Sequence, residues 1–342
     1  SFFNFFFNDD IKVRFFYCII ATSVPVLFYV NLSMKFPNIN KNLLFIFSSA
    51  IFLLPAFRYT AIWANFQISA IIFLLFSNIF FLKWIKKNDD KVDKNIVFQI
   101  LLMTLAVYTR ADYILFFLYF MFIYFQKLKI IEFVKLSIFV IFLSIHGLWF
   151  IYDHFVTFSN IQFTPKFQNY ILVNASIISF YLMPIFLCSA FNNINFFKKD
   201  INFFVMSTLI FSILIYIFAY SFDYNYSLGG GFILKLSLLL FNNNLLFYLS
   251  SIAGLVLLSF LSKNNVNNLL IILLILFGYS SAVIFHKYFE PTFMIIFFLL
   301  MKSEVISQFL SKYKNIFFLY IYFFVYYASA FLNNIFEFSK SI

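Results

Sequence analysis

The chain has 342 residues, of which 64% are hydrophobic and only 11% are charged. Soluble domains carry about 25% charged residues, and a chain this apolar would expose more hydrophobic surface than water tolerates, so a soluble fold is excluded. The net charge of +11 does not predict a nucleic-acid partner, because the basic residues are scattered between apolar runs and are not clustered on one face.

Apolar runs bounded by polar residues follow one another along the whole chain. A helix needs about 20 apolar residues to cross roughly 30 Å of hydrocarbon. Twelve candidate segments are Phe15–Asn31, Leu43–Phe57, Phe66–Trp84, Ile96–Tyr108, Tyr113–Phe125, Phe133–Tyr152, Ile171–Phe191, Ile201–Ser221, Leu245–Leu261, Leu269–Phe285, Thr292–Met301 and Ile316–Leu332. The fourth, fifth and eleventh are shorter than a full span, which predicts half-helices or broken helices. We therefore expect an all-α, polytopic transmembrane helical bundle with about 12 hydrophobic segments, several short or broken, as a single domain over residues 1–342 without a separate soluble domain.

Lysine and arginine are unevenly divided between the two sets of loops that twelve alternating segments create. One set holds sixteen of the 24 basic residues, including the dense run from Lys83 to Lys94. Short cytoplasmic loops carry the excess of positive charge, so this set is predicted to be cytoplasmic. The pattern indicates a multi-pass protein of a bacterial inner membrane with its less basic face outward. Both termini then face outward, which predicts at least one further helix ahead of Ser1.

Ionisable groups at the outer ends of the apolar runs are the candidates for chemistry, because charges at membrane depth are costly and commonly functional. Arg58 and Tyr59 follow Pro55 between two apolar runs. Arg110 and Asp112 lie between two short runs. Either the chain makes a simple hairpin turn at these two residues, or their charges pair with each other, or they line a cavity.

Two later segments on the same face also carry polar groups. The stretch from Asp223 to Lys235 holds half of the six glycines, at positions 229–231. Glycines let backbone N–H groups approach an anion, but a flexible loop explains the same residues, and neither nucleotide-binding glycine pattern is matched. His286, Lys287 and Glu290 lie within five residues. They indicate either a functional turn or a structural glutamate beside a lysine whose stem lies along apolar surface.

Motifs for hydrolysis or for structural metal binding are missing from the sequence. It contains no H-E-x-x-H and no G-x-S-x-G pattern. Cys18 and Cys188 cannot form a disulfide framework or a four-ligand zinc site. The outer loop from Asp153 to Tyr170 includes His154 and adds nothing specific. Hydrolase and zinc-protease functions are therefore disfavoured.

The order of the outer features resembles that of the membrane-embedded GT-C-type glycosyltransferases. The resemblance covers residues 43–125 and one later turn. Its elements are the apolar run ending at Pro55, the Arg58-Tyr59 turn, the basic loop from Lys83 to Lys94, the turn Thr109-Arg110-Ala111-Asp112, and His286-Lys287-Tyr288-Phe289-Glu290-Pro291, which is similar to a basic-Tyr-x-x-Pro turn near the end of the family's membrane region.

The resemblance implies transfer of a sugar from a polyprenyl-phosphate donor to a lipid-linked, envelope-glycan or protein acceptor on the outer face. In the family an acid of the first outer loop acts as the base or helps to hold a divalent cation such as Mg²⁺ or Mn²⁺, and Asp9 and Asp10 occupy that place here. Cationic groups would stabilise the departing phosphate. The candidate substrate-binding residues are Arg58, Tyr59, Arg110, Asp112, Lys235, His286, Lys287 and Glu290. Family members have a full helix before the acidic loop, which implies that this chain lacks its N-terminal helix and leaves open whether the catalytic acid lies upstream of Ser1.

Two other functions remain open. A surface-polysaccharide polymerase or ligase is also multi-spanning, but it predicts a large outer loop late in the chain. A lipid or solute transporter predicts internal repeats with paired broken helices and charges near the midplane. No convincing repeat is present, and the charges gather at the outer boundary. Membrane lipids are expected as partners in every case, and nucleic acid in none.

Overall fold

The computed structural model describes residues 10–87, 90–153, 167–192, 198–224, 229–263, 265–278 and 284–340. Every regular element within these ranges is helical, as the composition predicts. Helices α1 to α16 are, in chain order, Asp10–Ala21, Ser23–Lys35, Lys41–Ser49, Pro55–Ile62, Gln67–Lys87, Lys94–Thr109, Ile114–Lys127, Ile130–Asp153, Phe167–Asn192, Ile201–Tyr220, Gly231–Phe241, Leu245–Ser262, Val266–Gly278, Thr292–Leu299, Glu304–Leu310 and Tyr313–Lys340. Short 3-10 helices lie at Ala50–Leu53, Ala111–Tyr113 and His286–Tyr288.

Seven of the described segments are long and apolar enough to cross a membrane, or nine if each of two bent helix pairs is one span. The bent pairs are α3 and the 3-10 helix after it, Lys41–Leu53, with α4, at 69°, and α14 with α15, at 107°. Nine of the twelve predicted runs coincide with these segments. The other three correspond to the shorter helices α6, α7 and α13, which have 16, 14 and 13 residues. The expected all-helical bundle is present within the described residues.

Helix α11 is not among the twelve segments predicted from the apolar runs. Neither interpretation of the stretch from Asp223 to Lys235 predicts a helix, yet one begins at Gly231. It forms because the ten residues after this glycine are apolar apart from one lysine and one serine. The ion pair between Lys263 and Asp200 puts the end of α12 beside the start of α10. The two helices are thus antiparallel, and α11 lies between them in the chain at the opposite end of the bundle. At about 16 Å, α11 is too short to cross a membrane, so it does not change the predicted in–out alternation of the later segments.

Helices α9 and α12 approach each other closely. A Cβ atom at Gly254 would lie 2.1 Å from the carbonyl oxygen of Ala175, so no side chain fits at this position. Three residues earlier, the Ser251 hydroxyl donates to the Leu172 carbonyl at 2.9 Å. Small residues and interhelical hydrogen bonds are the usual means of packing where surrounding lipid is as apolar as the helix surface. This contact therefore anchors α9, the helix that carries part of the candidate site.

Buried amides join α2, α5 and α6. The Asn78 side chain donates to the Asn31 side-chain oxygen at 2.9 Å, and Asn31 donates to a backbone carbonyl of α5. The Gln99 amide donates to the Ser77 hydroxyl at 3.0 Å. Such groups are costly to bury unless they are paired. Their pairing fixes the register of the short helix α6 against the longer α5.

The sharp break between α14 and α15 is held by two polar side chains. The Lys35 ammonium donates to the carbonyls of Phe298 and Met301 at 2.9 and 2.6 Å, where the last carbonyls of a helix lack partners. The Asn268 side chain both donates to and accepts from the backbone of Lys302. We call this end of the bundle the lysine end; it also carries the ion pairs Lys87–Asp93, Lys129–Asp90 and Lys263–Asp200.

Candidate functional site

A cavity of about 600 Å³ lies between α11, α16 and the turn that contains His286, away from the lysine end. Its lining combines polar and apolar residues. The polar residues include Lys235, His286, Lys287, Tyr326 and Ser329, and the apolar residues include Phe232, Leu236, Leu239, Phe285, Ala330 and Leu332. The volume lies within the roughly 300–1,000 Å³ that is typical of small-ligand sites.

The cavity wall reaches well below the ends of the longest helices. His286 contacts Tyr181, which lies about 21 Å from the first residue of α9 and about 16 Å from the last, at 1.5 Å per residue. The short helix α6 ends at this same level, because Arg110, directly after it, lies over the Tyr288 ring at 5.5 Å. The polar groups of this turn therefore lie within the depth of the longest helices and not at the outer boundary, where the sequence predicted them. At that depth irregular backbone requires cover from protein or an aqueous cavity.

His286 is held by hydrogen bonds on both ring nitrogens. Nε2 accepts the backbone N–H of Phe232 at 2.6 Å, in the first turn of α11. Nδ1 lies 3.0 Å from the Tyr181 hydroxyl, and that hydroxyl donates to the Glu290 carboxylate. A single chain of contacts therefore runs from the start of α11 through the cavity wall to a carboxylate in the protein interior.

Glu290 is fully buried. Its second oxygen accepts the Ala56 N–H at 2.8 Å, in the first turn of α4, where the helix dipole favours negative charge. The Gln67 side-chain amide donates to the carbonyls of Lys287 and Glu290 at 2.7 and 2.8 Å. Both carboxylate oxygens are thus occupied, which fits the structural interpretation of Glu290 in the sequence.

The glycine turn before α11 is shaped by its contact with the His286 segment. Gly230 and Gly231 have φ angles of 84° and 82°, which favour glycine. A Cβ at Gly231 would lie 3.3 Å from the His286 Nε2. The Gly230 N–H donates to the Ile284 carbonyl, and the Ile284 N–H donates to the Tyr224 hydroxyl. Burial raises the pKa of Tyr224, so its hydroxyl stays protonated.

The two predicted arginines lie beside the cavity and are not among its lining residues. Arg110 forms an ion pair with Asp112, with Nε 2.7 Å from the nearer carboxylate oxygen, which is one of the three arrangements that the sequence left open. Arg58 is exposed and lies over the Tyr327 ring at 4.7 Å. The structure thus brings together Lys235, His286 and Lys287. The two arginines contact Tyr327 and Tyr288, which are next in the chain to the lining residues Tyr326 and Lys287.

Of the two candidate acids, the one that the structure describes, Asp10, is not part of the cavity wall. It is exposed at the start of α1. Asp9 and His154 lie outside the described residues. Within the described part of the chain, no group of three or more His, Cys, Asp or Glu side chains is positioned to hold a metal ion.

Sequence reasoning missed several residues of the site. Tyr181 lies in a continuous apolar run, Gln67 lies at the start of one, and Phe232 contributes only its backbone. In the sequence, Tyr181 and Gln67 can be recognised only as polar side chains within or beside an apolar run, where lipid would not favour them. Phe232 gives no such indication. These residues belong to the site because each forms a hydrogen bond with a residue more than fifty positions away in the sequence.

No protein-family model, curated protein or solved structure matches the chain.

Proposed function

We propose that the protein is an integral membrane glycosyltransferase that moves a sugar from a polyprenyl-phosphate donor to a lipid-linked, envelope-glycan or protein acceptor. The observation that carries this proposal is the cavity, where two lysines and an apolar wall face the same space. A polyprenyl-phosphate sugar has the matching parts, which are an anionic phosphate and a long apolar chain. A lipid-borne donor also explains why the chain consists of apolar helices.

Lys235 and Lys287 are the cations best placed to meet the phosphate. Both line the cavity, whereas Arg110 is already paired with Asp112. A lysine ammonium binds phosphate as a compact charge, and charge-assisted hydrogen bonds are roughly twice as strong as neutral ones. Arg110 lies behind Tyr288, and its pairing with Asp112 leaves it little net charge to act on the cavity.

The proposed orientation follows from charge. The lysine end faces the cytoplasm because basic residues are retained there, so the cavity opens toward the outer face of a bacterial inner membrane. Lys35, which caps a helix at the lysine end, belongs to the same basic set as Lys87 and Lys129. The donor's apolar chain would lie along Leu236, Leu239 and their neighbours.

The chemistry requires a base, and the described lining residues of the cavity include no carboxylate. In glycosyl transfer the acceptor hydroxyl forms a bond to the anomeric carbon and loses its proton to a carboxylate. The bond from that carbon to the phosphate oxygen breaks, and the electron pair leaves with the phosphate. Glu290 cannot serve because both of its oxygens are occupied. Asp10, or Asp9 before it, is the proposed base, and it would reach the donor from the start of α1.

The divalent cation that the resemblance implies has no fitting donor set in the described residues. Asp112 is paired with Arg110, and Glu290 is enclosed. No step of the proposed reaction is therefore derived through a metal ion.

The test is transfer of radiolabelled sugar from synthetic polyprenyl-phosphate donors by purified protein in lipid vesicles. Lys235→Ala and Lys287→Ala should each lower transfer by roughly 10- to 100-fold, because a hydrogen bond to a charged group contributes about 1.5–3 kcal/mol. Arg110→Ala should lower it less. Lys127→Ala is the matched control, since Lys127 is exposed at the lysine end, and it should retain full activity.

Two results would contradict the proposal. One is the absence of transfer from every donor tested with folded wild-type protein. The other is equal activity in Lys235→Ala, Lys287→Ala and the Lys127→Ala control, which would remove the cavity from the reaction.

A further inference from the structure

The hydrogen bonds around His286 specify where its proton lies. A backbone N–H can only donate, so Nε2, which meets the Phe232 N–H at 2.6 Å, must be the unprotonated nitrogen. An imidazole with an unprotonated Nε2 carries its proton on Nδ1. The Nδ1–H then donates to the Tyr181 hydroxyl, which leaves that hydroxyl free to donate to Glu290.

Each hydrogen bond in this series is donated toward the Glu290 carboxylate. An ionised Glu290 can accept hydrogen bonds but cannot donate them. It accepts from the Tyr181 hydroxyl and from the Ala56 N–H. If His286 were protonated on both nitrogens, its Nε2–H would face the Phe232 N–H, and two donors would oppose each other. The observed contacts therefore fit one protonation pattern of the ring.

We infer that Glu290 and Tyr181 are positioning residues that hold His286 as a neutral imidazole with its proton on Nδ1, so that Nε2 fixes the backbone at the start of α11. This assigns a new role to His286, because the sequence placed it among the phosphate-binding cations. The positive charge of the cavity then comes from Lys235 and Lys287 alone among its described lining residues.

The consequence for the cavity is geometric. Phe232 follows Gly231, whose missing Cβ leaves room for the His286 ring. Holding the Phe232 N–H fixes the first turn of α11, on which Lys235 lies one turn later. The Glu290–Tyr181–His286 chain thereby sets where Lys235 points. This role of His286 requires no particular ligand, so it can be tested independently of the proposed glycosyl transfer.

The test is nitrogen NMR of protein labelled with ¹⁵N-histidine in lipid bilayers. His146→Gln and His154→Gln leave His286 as the only labelled ring, because the chain has three histidines. We expect one protonated nitrogen, assigned to Nδ1, and one unprotonated Nε2. A ring protonated on Nε2 only, or on both nitrogens, would overturn the inference.

Tyr181→Phe removes the acceptor for Nδ1–H and should shift the tautomer ratio by roughly tenfold, as expected for the loss of one hydrogen bond. Tyr322→Phe is the matched control. The Tyr322 hydroxyl donates to the carbonyl of Phe180, next to Tyr181 in the chain, and has no bond to His286. An unchanged ratio in Tyr181→Phe, or an equal change in the control, would count against a positioning role.

Hydrogen exchange gives a second measurement that does not depend on labelled histidine. The Phe232 amide should exchange roughly tenfold faster in Tyr181→Phe than in wild type, because its acceptor is less well held. Tyr322→Phe should leave the rate unchanged. Equal protection in all three proteins would show that Tyr181 does not act through His286.

Discussion

Gly254→Ala should destabilise the protein through the contact between α9 and α12. The added methyl would lie 2.1 Å from the Ala175 carbonyl oxygen and 2.9 Å from its carbonyl carbon, where ordinary contacts begin at 3.4 Å. The helices would have to separate by about 1 Å, because the obstructing atoms are backbone and cannot turn aside. Separation also stretches the bond from Ser251 to Leu172.

The magnitude follows from these two losses. Overpacking costs about 1–3 kcal/mol, and an interhelical hydrogen bond in a membrane protein contributes about 0.6 kcal/mol. We expect the free energy of unfolding to fall by about 2–4 kcal/mol. Reversible unfolding in mixed micelles, followed by far-ultraviolet circular dichroism, measures this change.

Gly278→Ala is the matched control for the same substitution. Its methyl would approach Leu115 as closely as 2.1 Å, but the three nearest atoms, Cδ1, Cδ2 and Cγ, all belong to that side chain and none to the backbone. Leu115 is partly exposed and can change rotamer at a cost of about 1 kcal/mol. If Gly254→Ala is no more destabilising than Gly278→Ala, the reasoning from backbone contact is refuted.

Two further predictions concern the lysine end. Lys35→Met should lower the free energy of unfolding by about 2–3 kcal/mol, because it leaves two carbonyls at the break after α14 without their hydrogen-bond donor. Lys41→Met, at an exposed position, should change it little, and equal effects in denaturant titration would contradict the capping role. The hydrogen bond from Lys129 lowers the pKa of Asp90, so this pair stabilises the fold above the ordinary aspartate pKa of about 3.9 and its contribution is lost as pH falls through the lowered value. Stability curves of wild type and Asp90→Asn should therefore converge below about pH 4, and parallel curves across that window would show that the pair contributes nothing.

Most of the helices could be predicted from the sequence because their signal is local. Runs such as Phe66–Trp84 and Ile201–Ser221 are long, apolar and bounded by lysines or polar residues, and helices Gln67–Lys87 and Ile201–Tyr220 formed there. Helix α11 could not be found in this way. Its apolar run is shorter than a span, and the glycines before it are equally typical of a loop.

The candidate site could be predicted only in part. Charged residues identified the turns at Arg110 and His286, since a charge beside an apolar run is visible in the sequence. The partners of His286 could not be identified, because Tyr181 is 105 positions away and the Phe232 contact is made by backbone. The spacing of Ser250 and Gly254 is a small-residue pattern typical of helix contacts, but nothing in the sequence indicates which helix it meets.

The bonds of Gln67 and Ala56 to the turn at Glu290 also constrain how the chain is made. These partners are separated by 220 to 234 positions. At about 5–20 residues per second, the ribosome needs roughly 10 to 45 seconds after Gln67 to produce its acceptors. During that interval the Gln67 amide and the first N–H groups of α4 are without their final partners. The N-terminal quarter of the protein must therefore wait in the membrane in an incomplete state, and an insertase or membrane chaperone would have most to protect there.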